Sequence, residues 1–61
     1  MIYENIVQLC KERGISIRQL EKQLGMGNGI IAKWKTKSPT VAKLKMVAVY
    51  LNVSLDELCN E

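Results

Sequence analysis

The 61 residues carry 48% hydrophobic and 25% charged side chains with a net charge of +3, a globular balance rather than a disordered one. A chain this short buries only about 60% of the surface its unfolded form exposes, so one small domain, 1–61, is expected, with no room for an enclosed substrate cavity. The absence of His, the isolation of Cys10 from Cys59 and an apolar run near Val47 that falls far short of a bilayer argue against a zinc site, an imidazole-assisted nucleophile and a membrane span.

The first helix is expected over residues 2–13, where Ile2, Ile6, Leu9 and Arg13 form one stripe with Tyr3, Val7 and Cys10 beside it. Gly14 then suits a left-handed C′ position. A second helix begins after Ser16, whose hydroxyl with Gln19 makes a capping box and whose neighbours Ile15 and Leu20 make a hydrophobic staple. Ile17, Leu20 and Leu24 are its apolar side, and Gly25 stops it. The third helix, about 28–35, has the weaker start Met26-Gly27-Asn28-Gly29, because Gly27 brings no side-chain oxygen as a cap. Ile31 and Trp34 share one face of it, and Asn28, Gly29, Ala32, Lys33 and Thr36 the other. Pro39 forces a loop at Lys37-Ser38. Thr40 opens a fourth helix with an inner stripe of Val41, Leu44, Val47, Ala48 and Leu51. A second stripe, Ala42, Met46 and Val49 with Tyr50, makes that helix apolar around much of its circumference, as a central helix or one that holds a partner would be. Ser54 and Glu57 cap a fifth helix, with Val53 and Leu58 as its staple and Leu55, Leu58 and Cys59 packing inward. The fold class expected is all-α.

Charge is unevenly placed along these elements. Residues 16–45 hold seven basic side chains (Arg18, Lys22, Lys33, Lys35, Lys37, Lys43, Lys45) and one acid, Glu21, or +6; the flanks sum to −3. Between Gly27 and Lys45 there is no acid. The six carboxylates fall on predicted helix ends and surfaces without a cleft to shift a pKa, so neither an enzyme nor a cofactor, metal or small-molecule ligand is expected. A cytoplasmic, reduced setting is the default.

The basic stretch coincides with two short helices joined by a tight turn near Gly25, a helix-turn-helix unit at about 16–35. An α-helix fits the DNA major groove and reads base edges with its N-terminal residues, while the preceding helix crosses the backbone. Helix starts also offer free N–H groups to phosphates. An ordinary αα-corner in a small bundle has the same pattern, and a solvated lysine face has the same charge.

The run Gly14-Ile15-Ser16, Leu20, Leu24-Gly25, Ile31-Ala32-Lys33-Trp34, Pro39-Thr40, Leu44, Ala48 and Leu51-Asn52-Val53-Ser54-Leu55-Asp56-Glu57-Leu58 resembles the Cro/repressor-type helix-turn-helix family, also called the xenobiotic-response-element (XRE) family. The resemblance spans nearly the whole chain, and Gly27-Asn28-Gly29-Ile30 with Lys33-Trp34 looks like repressor domains of phages and mobile elements. It implies a compact five-helix, lambda-repressor-like domain that binds palindromic operator DNA, commonly as a homodimer, and a transcriptional regulator of the repressor kind, encoded by a bacterium or phage. By position, Asn28, Gly29, Ala32 and Lys33 match the base-reading residues. Ser16, Arg18, Gly27, Lys35, Thr36, Lys37, Ser38, Thr40 and Lys43 match backbone contacts, and Cys10, Ile31, Trp34, Leu44 and Leu51 match the core. Three departures stand out. Ile17 replaces a Gln that often anchors phosphate and braces the recognition helix, Gly27 replaces a capping Ser or Thr, and Lys35 and Lys37 add charge where Glu and Gly are common.

The rival reading is a protein-interaction module, antitoxin-like or antirepressor-like, that uses the same fold and docks on the second stripe of the fourth helix. Its weakness is the acid-free segment, which a purely protein-binding domain does not need.

Overall fold

A computed structural model describes residues 2–27 and 29–59 of the chain. Their regular elements are four α-helices, α1 (Ile2–Glu12), α2 (Ile17–Gln23), α3 (Val41–Leu51) and α4 (Leu55–Cys59), with a 3₁₀ turn over Ala32–Lys35 between α2 and α3. The all-α class stands, but the count of five α-helices does not. Where the third was expected, the chain forms turns and then four residues of 3₁₀ helix.

Local chemistry accounts for each boundary. Ser16 Oγ accepts the Gln19 N–H at 3.1 Å while Gln19 Oε1 accepts the Ser16 N–H at 2.8 Å, the reciprocal capping box of α2. Thr40 Oγ1 accepts the Lys43 N–H at 3.2 Å to start α3, and Ser54 Oγ accepts the Glu57 N–H at 3.1 Å to start α4. Three helices close alike: a residue past the end reaches back five positions, Ile15 N–H to Cys10 O (3.0 Å), Met26 N–H to Glu21 O (2.9 Å) and Val53 N–H to Ala48 O (3.0 Å). The left-handed residue these closures need is Gly at the first two, and Asn52, at φ 58°, at the third.

The core is one cluster to which every element contributes: Ile6 and Cys10 from α1, Leu20 from α2, Ile31 and Trp34 from the 3₁₀ region, Leu44, Val47, Ala48 and Leu51 from α3, and Leu58 from α4. Ile15, Met26 and Val53, each just ahead of a helix or turn, lie half-buried against it. α1 packs on α2, on α4 and on the 3₁₀ turn, and α3 packs on α4. Asn5 of α1 and Arg13 just past its end fasten the carbonyl ends of other helices: the Arg13 guanidinium donates to Leu51 O, and Asn5 Nδ2 donates to Leu58 O at 2.8 Å.

Two side chains expected inside are outside. Val41 is 65% exposed, because the first turn of α3 projects beyond the core, and Cys59 is exposed at the last turn of α4. The second stripe of α3 is not covered either: Met46, Val49 and Tyr50 are all exposed, so α3 is buried on one side only.

Candidate nucleic-acid interface

Residues 29–36 keep the two-faced pattern of the expected helix although they do not wind as one. Ile31 and Trp34 are buried, whereas Ala32, Lys33 and Thr36 are exposed and Gly29 is half-buried. Winding is mixed: Lys33 N–H bonds to Gly29 O and Lys37 N–H to Lys33 O with α-type spacing, while Trp34 N–H to Ile31 O and Thr36 N–H to Lys33 O have 3₁₀ spacing. The reason lies at the start. Gly29 sits at φ +81°, a left-handed conformation that ends helical winding wherever it occurs, and Ile31 at the head of the 3₁₀ turn has no side-chain cap. Asn28, the first expected base reader, lies outside the described residues.

The missing cap is replaced from α2. Glu21, placed by sequence among the surface carboxylates, is only 3% exposed. Its Oε1 accepts the Gly29 N–H at 3.2 Å and its Oε2 accepts the Ile31 N–H at 2.8 Å. Both carboxylate oxygens are thereby engaged by backbone donors, the arrangement that lets a buried charge be tolerated. This also corrects the expectation that the starts of both helices offer free N–H groups to phosphates, since two such groups of the second start are already taken. At the start of α2, Ser16 caps the Gln19 N–H, and Ile17 and Arg18 hold the first helical positions.

Two further groups of expected contacts are placed by the fold. Ser16 and Arg18 are exposed and line an open groove along α2 with Gln19, Lys22, Gly25 and Met26. Lys35, Thr36, Lys37 and Ser38 are exposed and line a second groove, walled by Tyr3 and Glu4 of α1 and by Pro39. There Lys35 Nζ lies 5.3 Å from the centroid of the Tyr3 ring, a cation–π contact that fixes its direction. The hydroxyls of Ser16 and Thr40 serve as helix caps, and Thr36 Oγ1 donates to Lys33 O at 3.4 Å. Gly27 and Thr40 are exposed, and Lys43 is half-buried on α3. Ile17 is half-buried against the core, so it neither reaches a phosphate nor braces the turn as a Gln would.

Burying Glu21 changes the electrostatics as well. Seven basic side chains occupy residues 16–45, and the one acid among them faces inward, so the surface of this half of the chain carries positive side-chain charge without an exposed carboxylate. A surface of that kind attracts a polyanion.

No curated protein and no solved structure matches the chain. A helix-turn-helix family model does match, over residues 6–58, from the first fully buried isoleucine of α1 to the buried leucine of α4. The chain therefore belongs to the helix-turn-helix family of the Cro/repressor (XRE) type.

Proposed function

We propose that this chain is a sequence-specific double-stranded DNA-binding repressor, cytoplasmic and of bacterial or phage origin, that acts through residues 16–43 of a single domain, 1–61. Membership of a DNA-binding regulatory family gives the class. The observation that carries the reading is the uneven charge: Lys33, Lys35 and Lys37 are exposed within residues 16–45, where the one acid, Glu21, is turned inward. In this reading Asn28, Gly29, Ala32 and Lys33 face base edges, Asn28 toward adenine and Lys33 toward guanine O6/N7. Ser16, Arg18, Gly27, Lys35, Thr36, Lys37, Ser38, Thr40 and Lys43 meet the phosphates and set the register. Two copies on a palindrome place their reading segments in half-sites about one helical turn apart.

Fluorescence anisotropy against duplexes selected from a randomised pool, at two salt concentrations, tests this. A salt-sensitive preference for a palindrome that falls on Lys33→Ala supports the reading. Unaltered preference and affinity in Lys33→Ala overturns the base-reading role, and absence of binding at low salt by a folded chain overturns DNA binding altogether.

One observation favours the second reading, a protein-interaction module: Met46, Val49 (81% exposed) and Tyr50 form an uncovered apolar surface on α3, next to Leu24 of the α2 end. In the DNA reading the same surface is where a second copy would pack. Binding to no duplex, with a stable complex formed through this surface, would decide for the module.

A further inference from the structure

We infer that Glu21 is the positioning residue of the DNA-reading segment: it presets that segment before DNA arrives and so governs sequence preference without touching the bases. The inference rests on the DNA-binding reading above and adds a determinant from outside the reading face. Glu21 is the one buried charged side chain among the described residues, and its two oxygens hold two amides, those of Gly29 and Ile31, eight and ten positions further on. Those amides belong to the residues that set the direction of the segment. Gly29 turns the chain at φ +81°, and Ile31 anchors it in the core at 0% exposure. Ile31, at the head of the 3₁₀ turn, has no side-chain cap, and the glycine at position 27 has no side chain with which to fix the start. The carboxylate of the preceding helix does this instead, and couples the two halves of the helix-turn-helix unit.

Chemistry sets what can replace it. Two N–H donors 3.2 and 2.8 Å away need two acceptor oxygens on one planar group. Glutamine offers one oxygen and turns an NH₂ donor toward the other amide. Aspartate keeps the charge but lacks the methylene that gives the reach.

The test uses the full chain and Glu21→Gln, with a duplex selected from a randomised pool and a scrambled duplex as probes. Expected is a loss of selected-over-scrambled preference on the order of tenfold, the value of about one charge-assisted hydrogen bond. Affinity for the scrambled duplex should be equal or higher, because a negative charge is gone. A merely structural role would weaken both duplexes together, and that result overturns the inference, as does unchanged preference. Amide hydrogen exchange on the free wild-type protein gives a second reading that needs no folded variant: Gly29 and Ile31 N–H should exchange slowly, and rapid exchange at both overturns the clamp. If wild type prefers no duplex while both amides are protected, the DNA reading fails and the positioning role in recognition is overturned with it, although the clamp itself exists.

Discussion

Gly27 and Gly29 lie two residues apart at the start of the reading segment, and alanine should move stability in opposite directions at the two. At Gly29 a Cβ would meet nothing within 4 Å, so the cost of Gly29→Ala is backbone strain alone, set by φ +81°. Holding an L-residue in the left-handed region costs about 1–2 kcal/mol. Restricting the unfolded chain returns about 0.4–1 kcal/mol. The net is a destabilisation of about 1 kcal/mol, or a Tm lower by about 4–8 °C in a domain of this size. Gly27 is outside the left-handed region, and its added Cβ would stand 3.7 Å from Ile30 Cγ1, an ordinary van der Waals contact. Gly27→Ala therefore keeps only the unfolded-state gain, about 0.4–1 kcal/mol of stabilisation. Thermal and urea unfolding followed by circular dichroism measure both. Shifts of the same sign in the two variants would refute the backbone account of the turn. Opposite signs would support the left-handed turn at Gly29 as the feature that keeps residues 29–35 from winding as one α-helix.

Four other outcomes follow from the placement of side chains. Lys37→Ala and Lys43→Ala should weaken selected and scrambled duplexes alike and lower the slope of log affinity against log salt by about 1 each, read from anisotropy titrations; a change in sequence preference would move them to the base-reading set. Cys10 is buried and its thiol is pushed up by desolvation, with the positive charge of Arg13 partly offsetting this, whereas Cys59 is exposed. An alkylating reagent at neutral pH should label Cys59 first, as mass spectrometry of the digest would show. Because the Cys10 shift favours the neutral thiol in the fold, its contribution to stability is present at neutral pH and is lost as pH rises through and above the ordinary thiol range. Val49, 81% exposed, can become Lys with little change in folding, within about 0.5 kcal/mol. If its face joins two copies, sedimentation on a palindromic duplex should show two wild-type chains and one variant chain, and two variant chains would rule that face out.

The parts of this fold that were legible in the sequence are those that depend on neighbours within one turn. The Ser16–Gln19 box, the Thr40 and Ser54 caps and the glycine closure after α2 all rest on contacts three to five positions apart, and each forms as its pattern predicts. Inner stripes failed only at helix ends, at Val41 and Cys59, where periodicity continues past the point at which the core has anything left to cover. The reading segment was misjudged for a different reason. Its apolar spacing at Ile31 and Trp34 fits either winding, and the deciding residue, Glu21, is on another helix. The signal was present. Ile17, Leu20, Glu21 and Leu24 fall at one helical spacing, so Glu21 stands in an otherwise apolar stripe ahead of a segment whose position 27 offers no side-chain cap. An acid in that position needs donors, and the amides of Gly29 and Ile31 supply them. Charge counting treated Glu21 as a small subtraction from a basic surface. Its burial means that it subtracts nothing from the side chains on view, and that the same carboxylate organises the segment they belong to.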